Sequence, residues 1–261
     1  MKKSILSLSA AVALGSLGFA GSANAWVASD ATGTATDLFL HNAGTGHQLF
    51  TPYYTANEGM ATLVNIVNTD SVNGKAVKVR FRGATNSDDL LDFTLFLSPG
   101  DVWAGAVLQG PDGRAMLTTP DKSCTIPTAD NWVGGVPFIT TRLPSYVGTD
   151  NQAALTREGY IEVLNMADIP PPATGSTASP LYAATKHVSG VAPCLADVPL
   201  TGPVTATNPS YGALRSRLLS TSTDLAGARA DGLAYPTGGL MGPWSILDLG
   251  HMGTYSGTQT A

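Results

Sequence analysis

Charged residues are scarce in this chain: Asp, Glu, Lys and Arg make up 13% of its 261 residues, and the formal net charge is −5. No cluster of Lys or Arg occurs, so the electrostatic footprint that a nucleic-acid partner needs is missing. Apolar runs are short as well. Past the N-terminus none approaches the ~18 residues of a spanning helix, so no transmembrane segment is expected. Cysteine is reduced to Cys124 and Cys194, neither with a CxxC partner nor a nearby His, which argues against a reactive thiol. The sequence contains no G-x-S-x-G elbow, no phosphate loop and no H-E-x-x-H.

The N-terminus carries an export signal. Lys2 and Lys3 precede an apolar, small-residue run from Ile5 to about Phe19, and Ala23-Asn24-Ala25 has the A-x-A form of a cleavage site. Residues 1–25 therefore read as a secretory signal peptide, and the protein is expected in the periplasm, on the outer surface or outside the cell. Without a cysteine at the cleavage point, a lipoprotein anchor is not expected. Cleavage before Trp26 removes 25 of 261 residues, leaving 236, and takes the net charge from −5 to −7 with the loss of the two lysines. In an exported chain the even cysteine pair most simply forms one disulfide, Cys124–Cys194. Closing that loop stabilises by about 4 kcal/mol in the chain-entropy model.

The strongest periodic signal lies between Met60 and Leu108. Four strands are expected there, over 63–68, 76–82, 91–97 and 102–108. Val77, Val79 and Phe81 alternate with Lys78, Arg80 and Arg82, and Leu91, Phe93, Leu95 and Leu97 alternate with Asp92, Thr94, Phe96 and Ser98. A period of two puts the first set of each on a buried face. The strand at 63–68 is apolar on both sides, so it is expected to be central and covered on both faces. Asn68-Thr69-Asp70, Asn73-Gly74 and Pro99-Gly100 supply turn chemistry, with a positive-φ glycine expected at Gly74.

Elsewhere the signal weakens. Residues 26–50 read as an N-terminal arm or edge strand. Residues 109–155, broken by five prolines, read as long ordered loops with short strands near 136–141. Strand character returns at 156–167, a Pro/Ser/Thr-rich segment spans 169–180, and short helices are expected at 181–188 and 213–219. The pattern Gly59 to Asn65 recurs at Gly159 to Asn165 and loosely at Gly242 to Asp248, as three equivalent core strands would. After Leu249 no closing strand is expected. Residues 51–261 thus read as one β-sandwich domain that is either C-terminally incomplete or ends on an unpaired edge.

Candidates for chemistry are few. The four histidines are His41, His47, His187 and His251, and the spacing of His41 and His47 is that of a loop rather than a helical ligand pair. Asp88, Asp89 and Asp92 read as an acidic hairpin turn, since the D-x-D-x-D-G calcium pattern is absent. No catalytic pair can be chosen among Glu58, Asp92, Asp101, Glu158 and Glu162, and neither a metal nor a cofactor is expected. Tyr53, Tyr54, Trp103, Trp132, Tyr146 and Trp244 could form a glycan-stacking platform. Trp103, inside an alternating strand, reads as core, which leaves Trp132, beside Asn131 and Gly134-Gly135, as the best ligand-stacking candidate.

Several segments together resemble a group of secreted proteobacterial proteins known simply as cell surface proteins. They are Phe50-Thr-Pro-Tyr-Tyr-Thr55, the strand with Asn65 and Asn68, Ala76-Val-Lys-Val-Arg-Phe81, Asn86-Ser87, Leu91-Asp-Phe93, Leu97-Ser-Pro-Gly-Asp-Val-Trp103 and Asp121-Lys-Ser-Cys-Thr125. The likeness is best over residues 47–126 and carries no activity, ligand or catalytic residue. It implies a longer chain with further strands. The fold class expected is all-β, an Ig-like or jelly-roll β-sandwich with long Pro/Gly loops and at most short helices. The function expected is that of an exported, non-enzymatic structural or interaction protein, self-associating through sheet edges or meeting other surface components. A carbohydrate-binding or adhesion module is the alternative, and a secreted hydrolase with its site in the 109–155 and 190–235 loops comes last.

Overall fold

The computed structural model describes residues 40, 44–127, 134–174, 180–194 and 232–261. The signal-peptide segment, His41, Trp132 and the helix expected at 213–219 lie outside the described residues. Two antiparallel sheets form a β-sandwich. Numbered in chain order, one sheet runs β1 (Gln48–Thr55), β9 (Glu158–Ile169), β3 (Gly74–Gly83), β4 (Asp89–Leu97), β7 (Cys124–Ile126). The other runs β12 (Gly253–Thr258), β11 (Pro243–Asp248), β2 (Met60–Asn68), β5 (Val102–Gln109), β6 (Ala115–Thr118), β8 (Val136–Pro137), with β10 (Leu240–Met241) pairing to the free end of β2. Two short helices, α1 (Thr149–Leu155) and α2 (Pro180–Thr185), complete the described elements.

The alternating block folds as its pattern requires. In β3 the residues Val77, Val79 and Phe81 are fully buried and meet Phe93 and Leu95 of β4 in a core that also takes Val64, Ile66, Trp103 and Val107 from the other sheet. Burying each such side chain contributes about 1.5–3 kcal/mol. Trp103, 1% exposed, packs its ring 5.6 Å from Phe93, and room for it exists because residue 105 is glycine: a Cβ there would lie 2.5 Å from the indole. Tyr54, Phe81 and Phe138 form a second aromatic group with centroids 5.1–5.7 Å apart.

Five expectations need correction. First, β2 is central, between β5 and β11, but Leu63 is exposed and Asn65 and Val67 are half-buried, so only one of its faces is packed. Second, Gly74 has no positive φ; glycine is required because a Cβ would sit 2.9 Å from the Leu97 carbonyl oxygen. Third, the chain does not run out after Leu249. Asp248 accepts hydrogen bonds from the backbone of Gly250 and His251, Met252 turns at φ 56°, and β12 returns along β11. Fourth, residues 109–155 hold β6, β7, β8 and α1, more regular structure than their prolines suggest. The recurring Gly-to-Asn pattern does not mark equivalent positions either, since β2 and β11 are neighbours in one sheet and β9 belongs to the other.

The outer face of the five-stranded sheet is covered at one end. Ala76, Phe96 and Ile169 point outward there and are buried beneath Leu181, Ala192 and Leu233. The Cys124–Cys194 disulfide, with Cα atoms 5.4 Å apart, fastens this cover to β7. Such a bond points to an oxidising compartment. Among the described residues no helix is long and apolar enough to cross a membrane.

Candidate functional site

The chain crosses between sheets at 69–73 and again at 98–101, and both crossings meet at one end of the sandwich. Asn68 locks them together. Its Nδ2 donates to the carbonyls of Asn73 (2.9 Å) and Ser98 (2.8 Å), and its Oδ1 accepts from the backbone N–H of Asp70. Pro99-Gly100 turns with φ 69° at the glycine, whose N–H donates to the Asp70 carbonyl. Polar groups collect around this junction on both sides of the five-stranded sheet.

On the core side stands Lys75, with no exposed surface. It shares the parity of Val77, Val79 and Phe81, so the strand geometry points it between the sheets. In register it faces Asp168 of β9. Its Nζ lies 2.7 Å from Asp168 Oδ1, 3.3 Å from Asp70 Oδ2 and 3.0 Å from Thr237 Oγ1. Thr237 in turn donates a short hydrogen bond to Asp168 Oδ2, and Asn165 Nδ2 donates to Oδ1 at 3.3 Å. One lysine thus meets two carboxylates, one of them 3% exposed. Burial would raise the pKa of Asp70, but the backbone and side-chain amides of Asn73, the Val72 N–H and Lys75 outweigh it and hold the carboxyl below its ordinary range.

His47 lies against the same group and accepts the Asn165 N–H on its backbone oxygen at 2.7 Å. Its Nε2 is buried with no hydrogen-bond partner among the described residues. Burial lowers its pKa, Asp168 pulls the other way, and Lys75 lowers it further. Both shifts have the same consequence for stability. A depressed folded pKa means that the unfolded chain binds protons first, so stability is full above the unfolded value and falls as pH drops through the folded one. Loss is therefore expected as pH falls below about 6.5 through His47, and again in the acid range below about 3.8 through Asp70. Urea midpoints measured from pH 8 to pH 5 should fall, and the slope should flatten in His47→Gln; an unchanged slope removes the first part.

On the outer side, Ser98, Asp101 and His187 converge. Asp101 Oδ2 accepts from the Ser98 backbone N–H (2.9 Å) and lies 3.1 Å from His187 Nδ1; Ser98 Oγ lies 2.7 Å from that same nitrogen. This composition invites comparison with a nucleophilic triad, but the geometry is different. A triad needs the acid and the hydroxyl on opposite ring nitrogens. Here both face Nδ1, and Ser98 Oγ already donates to the Thr185 carbonyl (3.0 Å) and accepts the His187 N–H (2.8 Å). The group laces the segment after α2 to the β4–β5 corner.

The remaining candidates are dispersed. Asp89 pairs with Arg82 and Arg142, Asp92 with Lys78, and Glu162 with Arg80 and Arg82, along the surface of β3, β4 and β9. Each such half-exposed pair contributes about 0–1 kcal/mol. Glu158 accepts from the Tyr53 hydroxyl at 3.0 Å. Among the described residues no three His, Cys, Asp or Glu are placed to hold a metal ion. The aromatic residues do not assemble: Tyr54 and Trp103 are in the core, while Tyr53 and Tyr146 are exposed. Trp132 lies outside the described residues. Sequence reasoning missed Lys75 and Asp168. A signal was available, because extending the Val77, Val79, Phe81 alternation one step back lands on Lys75. Against family models, curated proteins and solved structures, the chain matches none.

Proposed function

We propose that this protein is an exported, non-enzymatic component of the cell surface or its surroundings, acting in a structural or interaction role and associating with copies of itself through a sheet edge. The observation that carries the reading is β12. Among the described residues it pairs only with β11, and its sequence Gly-Thr-Tyr-Ser-Gly-Thr has no charge and no proline. Edges left open in monomeric proteins are usually blunted by such residues, by a bulge or by a cover. Tyr255 is 62% exposed, and the turn before the strand presents Leu249 and Met252. A second β12 added alongside would satisfy a row of backbone groups and gather these apolar side chains.

Three further points support the reading. The signal-peptide pattern and the disulfide agree on passage into an oxidising space. The likeness to secreted proteobacterial cell surface proteins points the same way. The Ser98–Asp101–His187 group, whose hydroxyl and carboxylate are committed to internal hydrogen bonds, fastens the segment after α2 to the sandwich, in keeping with a structural role. Sedimentation of the folded protein at rising concentration should show reversible self-association. Ser256→Lys, a charge on the open edge, should weaken it at least about tenfold, or 1.4 kcal/mol. A strictly monomeric wild-type protein at high concentration would overturn the proposal, as would a Ser256→Lys variant that associates unchanged.

A further inference from the structure

The geometry at Lys75 points to a modification site: we propose that Lys75 and Asp168 join through an amide bond between Nζ and Cγ, a covalent cross-link between β3 and β9 inside the sandwich. The inference rests on this geometry alone and is independent of the self-association proposed above.

The reacting groups are already together. Lys75 and Asp168 oppose each other in the β3–β9 register, their side chains turn to the same face, and Nζ lies 2.7 Å from Oδ1. Folding holds an amine and a carboxyl in direct contact, and effective molarities become very large for groups positioned together in this way. Both side chains are closed off from water, Lys75 completely and Asp168 with 3% exposed. An ion pair in such a place carries a desolvation cost that a neutral amide does not.

The neighbours supply the proton transfers. Condensation turns an ammonium and a carboxylate into an amide and one water, so two of the three protons on Nζ must end on the departing oxygen. Thr237 accepts from Nζ at 3.0 Å and donates to Asp168 Oδ2, a relay from the amine to that oxygen. Asp70 Oδ2, 3.3 Å from Nζ, holds the second proton while Nζ attacks and returns it by way of Nζ and the Thr237 hydroxyl as the Cγ–Oδ2 bond breaks. Hydrogen bonds from Val72 and Asn73 fix the Asp70 carboxylate in place beside Nζ. Water leaves past Thr237, which is at the surface. No oxidant, metal or further reactant enters the balance. Asn165 is the competing electrophile, but its Nδ2 donates to Asp168 Oδ1 and no contact joins it to Nζ.

The test is the intact mass of the folded full-length protein, with the N-terminus read directly and the disulfide reduced. A mass lower by one water is expected, together with a proteolytic fragment holding Lys75 and Asp168 in one branched peptide. Trypsin should fail to cut after Lys75. Lys75→Arg should have its full calculated mass, and Asp70→Ala should accumulate unlinked protein. The full mass in folded wild-type protein would overturn the proposal. So would a water lost within a linear peptide, or a loss of ammonia mapping to Asn165. Because the wild-type mass decides the matter, the result does not depend on any variant folding.

Discussion

Serine at both Cys124 and Cys194 is expected to lower the unfolding free energy by about 4 kcal/mol, the loop-closure term for a bridge spanning 70 positions. The effect should also be local. Segment 181–194 lies on the outer face of the five-stranded sheet, and its contacts there are Leu181 and Ala192 against Phe96 and Ile169. With the bridge gone, that cover is held by His187 and Thr185 at the β4–β5 corner and by the backbone bond from Ala192 to Lys122. Amide exchange in residues 181–194 should therefore rise far more than exchange in β3 or β9. Reducing agent should reproduce the urea midpoint of the double variant. Equal midpoints for oxidised and reduced protein would mean that the cover holds without its fastening.

A single methyl group on residue 159 should cost about 3 kcal/mol or more, at the upper end of what overpacking does. Gly159 sits where β9 is sandwiched between β1 and β3, opposite Tyr54 on one side and Gly83 on the other. A Cβ there would fall 1.8 Å from the Arg82 carbonyl oxygen and 2.9 Å from the Tyr54 ring. The obstacle is backbone in the middle of a ladder, so no rotamer change relieves it; the strands must part, and the Tyr54–Phe81–Phe138 packing goes with them. Gly100→Ala is the control. Its φ of 69° strains an alanine by about 1 kcal/mol, yet nothing lies within 4 Å of its Cβ. If thermal unfolding shows Gly159→Ala no worse than Gly100→Ala, the close approach of the strands is not what the structure indicates.

What could be read from the sequence follows from how local each signal is. Alternation in β3 and β4 is written in consecutive residues, so both strands and their buried faces were legible. The β12 strand was not, because Gly-Thr-Tyr-Ser-Gly-Thr buries almost nothing and so carries no alternation. The cysteine bridge was legible because only one pairing exists for two cysteines. Phe96 was assigned to the polar set of β4, and its burial depends on a cover contributed by residues about 85 positions later in the chain. Ser98 and His187 are separated by 89 positions, and Lys75 and Asp168 by 93. Neither meeting leaves any trace in local pattern. Lys75 was the exception that could have been found, since its parity alone assigns it inward, but a lysine at the start of an amphipathic strand invites the opposite reading.

The position of β9 between β1 and β3 governs when this molecule can form. A nascent chain has β3 and β4 ready to zip together early, yet β1 has no neighbour in its own sheet until residues 158–169 have been made. Assembly of that sheet waits for the middle strand to arrive from far along the chain, and pairings of this distant kind are slow. The five-stranded sheet is therefore expected to close late, only after the residues that form its second strand have emerged.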